Sequence, residues 1–181
     1  GTWVICAGGP TPWETWLTCE ETVAGTNEGF EKPHGYVFEV PSWANGPVEP
    51  VPLKAMGRFS HEAVAVDPSS GIVYLTEDNG FTEGNPDRPG SGFYRFIPRN
   101  RSGRYGSLQA GGKLQMAKVK GQPEARLFAG GLIGETHDIE WVDIADPDPF
   151  DSDAGTTNGQ RMTAVFYQGW NQGAAAFSRL E

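Results

Sequence analysis

The chain has 181 residues, enough for one ordinary domain with a real core. Its 23 Asp and Glu outnumber 14 Lys and Arg, giving a net charge of −9 and a pI near 4.8. Such a chain repels phosphate backbones and anionic headgroups, so neither nucleic acid nor a membrane surface is an expected partner, and no apolar run approaches the ~18 residues of a membrane span.

Taken in chain order, short runs rich in Val, Ile, Tyr, Phe and Trp predict strands at 3–7, 16–20, 36–40, 63–67, 73–77, 93–97, 114–119, 126–128, 138–143, 163–167 and 175–177. The 25 Gly and 14 Pro punctuate these runs and leave almost no helix signal. Asp67-Pro68-Ser69-Ser70-Gly71 reads as a hairpin turn with a permissive Gly at its end. Two long polar loops interrupt the pattern, at 78–92 and 145–160. The second carries Asp146, Asp148, Asp151 and Asp153 without the Gly and Glu placement of a calcium-binding EF-hand.

The expected fold class is therefore all-β. Antiparallel strands at this density suit a sandwich or propeller blades. The hairpin-like stretches 61–78 and 138–167 fit a blade repeat, hence a partial β-propeller of about three to four blades of antiparallel strands. Gly1 opens the chain without an initiator Met, and Glu181 closes it just after the apolar run Ala174-Ala175-Ala176-Phe177. Residues 1–181 read as one piece of a larger propeller, truncated at both ends, with any export signal lying outside them.

Candidate chemistry begins at Thr15-Trp16-Leu17-Thr18-Cys19-Glu20-Glu21, where a thiol at a strand end is followed by two carboxylates. A sulfur and carboxylates at one sheet rim suit a metal that is neither purely hard nor purely soft, iron or zinc more than magnesium. The same residues are also compatible with a half-buried thiol beside two solvated acids. Cys6 and Cys19 stand 13 residues apart, a spacing open to a disulfide, to free thiols or to metal ligation. In Gly57-Arg58-Phe59-Ser60-His61-Glu62-Ala63, Glu62 opens an apolar strand and is either a ligand or an ion-paired acid. Glu77-Asp78-Asn79-Gly80 favours an Asx turn over a set of oxygen ligands, and His137 favours a strand-edge hydrogen bond. Near the end, Arg179 and Glu181 alternate on one strand face, as an ion pair or as a phosphate fork beside a metal ligand. No G-x-S-x-G elbow, P-loop or dinucleotide-binding glycine run is present. Hydrolysis by this chain would then be metal-assisted.

The stretch Cys6-Ala7-Gly8-Gly9-Pro10-Thr11-Pro12-Trp13, the motif at 15–21, His34-Gly35-Tyr36-Val37-Phe38-Glu39-Val40, and segments 57–63, 73–80, 93–98, 135–141 and 177–181 together resemble the PhoX family of secreted alkaline phosphatases. The likeness is greatest to the actinobacterial-type relatives long grouped as a domain of unknown function. The resemblance implies a propeller whose central pore holds an iron–calcium cluster and hydrolyses small phosphate monoesters. It implies that Cys19 is the iron thiolate, that Glu62 and Glu181 are metal carboxylates, and that Arg179 grips the substrate phosphate. It further implies a secreted or periplasmic parent, here taken as a monomer. Glu14 stands where the Pro-Trp-x-Thr-Trp pattern has Gly, and this is expected to add a charge near the site. The chain ends before further acidic ligands of the family, so this piece alone is expected to be inactive. Two other readings stay open: a calcium-dependent propeller hydrolase such as a lactonase, and a non-catalytic secreted propeller that binds calcium structurally.

Overall fold

A computed structural model of the chain describes residues 1–128 and 134–178. Three strands form the first antiparallel sheet, in the order β1 (Ile5–Pro10), β2 (Thr15–Glu20), β3 (Val37–Pro41). A second, five-stranded antiparallel sheet runs β4 (His61–Val66), β5 (Val73–Glu77), β6 (Phe93–Pro98), β7 (Gly112–Val119), β9 (Ile139–Asp143). The short β8 (Arg126–Leu127) leaves that sheet to pair in parallel with β10 (Ala176–Phe177). Mostly antiparallel β structure is thus as expected. The described residues group into sheets of three and five strands rather than into equal four-stranded units.

One element departs from the strand reading altogether. Residues 163–167 lie inside an α-helix, α1 (Asn158–Trp170), so 138–167 is not a hairpin; β9 pairs with β7 instead. The run Thr163-Ala164-Val165-Phe166-Tyr167 has strand-forming composition. Its context overrides that preference. Thr157 caps the helix: its hydroxyl accepts from the Gln160 amide at 3.1 Å, while the Gln160 side chain accepts from the Thr157 amide at 2.8 Å. Val165, Phe166 and Gly169 then bury one helix face against β7. Gly169 leaves room for the Met116 side chain of β7, since a Cβ there would lie 2.3 Å from the Met116 sulfur.

The core lies between the sheets and the helix, with Leu17, Phe59, Leu75, Phe96, Met116 and Phe166 wholly or almost wholly buried. Each such side chain contributes about 1.5–3 kcal/mol by leaving water. The acidic loop after β9 is tied down rather than free. Arg58 donates to Asp153 at 2.7 Å, and Asp153 also accepts from the Thr26 amide at 2.8 Å. Arg161 of α1 spans from the Val23 carbonyl at 3.2 Å to Glu28 at 2.5 Å. Both guanidiniums are buried, so these charge-assisted contacts fix the loop to the segment after β2.

What positions the site is the meeting of the two sheets at β1 and β4. Gly9 makes it possible: a Cβ there would sit 2.1 Å from the Val64 carbonyl oxygen, closer than any side chain tolerates. The bare backbone of β1 therefore lies directly on β4, which brings Cys6 beside the start of β4.

Candidate metal centre

Three segments converge at that junction. The Cys6 thiol of β1 donates to Glu62 Oε1 of β4 at 3.2 Å. Glu21, just past the end of β2, joins them, so that one ligand atom from each of Cys6, Glu21 and Glu62 lies within 4.8 Å of the other two. Asp78, just past the end of β5, acts on Glu21 from the neighbouring sheet, and its side chain raises the proton affinity of Glu21.

The electrostatics show what this cluster lacks. Burial, the Asp78 contact and the charge of Glu62 all raise the proton affinity of Glu21. The Cys6 thiol is pushed up to about 11, first by its bond to Glu62 and then by partial desolvation and Glu21. Among the described residues, no Lys, Arg or His nitrogen pairs with Glu21 or Glu62. Protons, rather than cationic side chains, offset the charge of this cluster among the described residues. A cation at this point would displace them and relieve the repulsion, and a sulfur with carboxylate oxygens is a donor set that iron accepts.

The neighbouring acids divide sharply by role. Glu20 is fully buried and accepts from the backbone amides of Trp3, Gly35 and Tyr36 at 3.0, 2.8 and 3.2 Å, with His34 Nδ1 at 2.7 Å. It is committed to holding the segment before β3, whereas Glu21 points toward Cys6. Behind Glu62, His61 pairs across the ladder with Glu77. His61 Nε2 meets the Gly57 carbonyl at 3.0 Å, and burial depresses its pKa to about 4, so the ring is neutral. Burial drives Glu77 the other way, to about 8, although the Gly92 amide (2.7 Å) and the Tyr94 hydroxyl (2.9 Å) donate to it. Those two bonds clamp the end of β5 to the start of β6 and set where Asp78 leaves the sheet.

Several expectations change here. The thiol beside Glu62 belongs to Cys6, not Cys19. Cys19 is 0 % exposed in the core cluster, where burial, and then the charges of Cys6 and Glu62, push its thiol up to about 12. Glu62 stands in the cluster, joined by Glu21, which the sequence left open between a metal carboxylate and a solvated acid, with Asp78, read there as a turn residue, beside them. Arg179 and Glu181 lie outside the described residues. Glu14 sits in the β1–β2 turn at φ 63°, in the left-handed region that Gly enters freely. From there to Cys6 the hairpin runs the length of β1, at least about 13 Å, so the Glu14 charge is remote from the cluster. His137 Nε2 meets Glu135 at 3.7 Å on the surface, away from ligation.

The profile of the family described as alkaline phosphatase PhoX matches residues 1–181. The chain belongs to the PhoX alkaline phosphatase family. Among solved structures it is similar to Pseudomonas fluorescens PhoX in complex with vanadate, a transition state analogue, at 21% identity and a TM-score of 0.59. That likeness covers 99% of this chain and 37% of the other, so it shows a shared fold over a part of the larger molecule. No curated protein matches the chain. Among the described residues, no helix is long and apolar enough to cross a membrane.

Proposed function

We propose that the protein to which this PhoX-family chain contributes is an exported, monomeric hydrolase of small phosphate monoesters, with Cys6, Glu21 and Glu62 holding part of an iron–calcium centre. The observation that carries the reading is the convergence of a thiol and two carboxylates from three segments, with no basic side chain paired to those carboxylates among the described residues. When bound, the metals supply positive charge for the phosphoryl oxygens and lower the pKa of a coordinated oxygen. The chain's own groups prepare that site. Cys6 and Glu21 would hold the cation in their deprotonated forms. Asp78 orients Glu21, and the Glu77 clamp fixes Asp78. The Gly9 contact sets the separation of Cys6 from Glu62.

The family resemblance assigns Arg179 to the phosphate and Glu181 to a further metal position, on a propeller completed by the rest of the protein. Both remain part of this proposal. Arg179 would meet two phosphate oxygens with its planar fork.

The test compares metal content and turnover of 4-nitrophenyl phosphate in the full-length protein and two variants. Cys6→Ser is expected to lose iron and at least about a hundredfold in turnover, while Cys19→Ala retains both. Equal iron and turnover in wild type and Cys6→Ser would refute the assignment. Calcium without iron, accompanied by lactone hydrolysis and no phosphatase activity, would favour the lactonase-like reading.

A further inference from the structure

The pairing of β1 with β2 contains an irregularity that the phosphatase reading does not use. Ile5 faces Glu20, but Gly8 faces Thr18, so the register slips by one residue between them. Cys6 and Ala7 together therefore stand opposite the single residue Cys19. Opposed residues of an antiparallel ladder have Cα atoms about 4.5–5.5 Å apart. A disulfide spans about 4.4–6.8 Å between Cα atoms. Both thiols are free, Cys6 exposed on β1 and Cys19 buried on β2.

We propose that Cys6 and Cys19 form a redox pair: in the metal-free protein, a small-molecule disulfide converts them to a cross-strand disulfide and so removes the sulfur from the cation site. The loss of a ligand rests on the assignment of Cys6 given above; formation of the bond does not. Oxidised glutathione serves as the oxidant. The exposed Cys6 thiolate attacks one glutathione sulfur, and the S–S bond breaks to release one glutathione thiolate. The Cys19 thiolate then attacks Cys6 Sγ of the mixed disulfide and releases the second glutathione. The protein loses two electrons and two protons, which appear in two molecules of reduced glutathione. A metal already bound to Cys6 occupies the attacking sulfur and blocks the first step.

The experiment uses the full chain, freed of metal with a chelator and incubated with oxidised glutathione. Wild type is expected to lose the mass of two hydrogens and to keep no glutathione. Proteolytic cleavage after Glu14 then leaves the Cys6 and Cys19 peptides joined until dithiothreitol separates them. Cys19→Ala is expected to stop at one glutathione adduct on Cys6, and Cys6→Ser to take up none at the buried Cys19. A persistent glutathione adduct on wild type, or two unlinked thiols, overturns the pairing. Cobalt(II), added to each state, reads the metal site separately. Thiolate-to-cobalt absorption should be present in the reduced form, lost in the oxidised form and restored by dithiothreitol. A disulfide in the mass data without any cobalt–thiolate absorption in the reduced form would overturn the ligand assignment and leave the redox pair standing. Unchanged absorption after oxidation would overturn the switch.

Discussion

Replacing Glu77 by Gln isolates the cost of burying a carboxyl group behind the metal ligands. In the folded chain burial raises this group from 4.5 to about 8. A folded-state pKa above the unfolded one favours folding with the proton on, and that advantage disappears as pH rises from about 4.5 toward 8. At pH 5 the penalty is under about 1 kcal/mol; at pH 8 it reaches about 4 kcal/mol. Gln cannot ionise and still offers an oxygen to the Gly92 amide and the Tyr94 hydroxyl. It also places an amide NH2 where Glu77 Oε1 is now buried without a partner, across the ladder from the equally unpartnered His61 Nδ1. The stability of the Glu77→Gln chain relative to wild type should therefore rise by about 3–4 kcal/mol between pH 5 and pH 8. With a urea m-value of about 2 kcal/mol/M, that is a relative shift of about 1.5–2 M in midpoint. Urea unfolding followed by tryptophan fluorescence at both pH values measures it, and the titration of His61 cancels because both chains share it. A difference between the two proteins that stays constant within about 1 kcal/mol across the range would refute the reasoning.

Two further substitutions test the backbone that delivers the ligands. Gly9→Ala places a Cβ 2.1 Å from the Val64 carbonyl, so β1 must lift off β4; a loss of about 1–3 kcal/mol in urea unfolding is expected, together with weaker cobalt(II) binding than wild type. Unchanged metal affinity would show that the β1–β4 contact does not set the cluster. Glu14→Gly relieves a left-handed φ of 63° in an exposed turn remote from the cluster. It should stabilise the chain by up to about 1 kcal/mol in the same assay without altering cobalt(II) affinity, and a destabilised variant would contradict that account.

Much of the β structure was legible because alternation and turn chemistry act locally. The 61–78 hairpin is present as β4 and β5, and Asp67 caps its turn through Ser69 and Ser70. The helix was hidden because Val, Phe, Tyr and Thr dominate its middle, and only the Thr157–Gln160 pair signals its start. Glu62 could be picked out from its place at the head of an apolar strand. The sulfur could not be assigned from composition, since Cys6 and Cys19 occupy neighbouring strands of one hairpin and the choice depends on which faces solvent. Gly8-Gly9 was the available signal: two residues without side chains, one position beyond Cys6, mark a strand built for close approach. Glu21 and Asp78 meet across two sheets, a contact between residues 57 positions apart that no local pattern encodes.

Iron K-edge X-ray absorption on the full-length protein, isolated with its metal, addresses the central claim most directly. A sulfur scatterer bonded to the iron is expected, one that vanishes in Cys6→Ser and persists in Cys19→Ala. A sulfur signal that survives in Cys6→Ser and is lost in Cys19→Ala would contradict it and move the metal to the buried thiol.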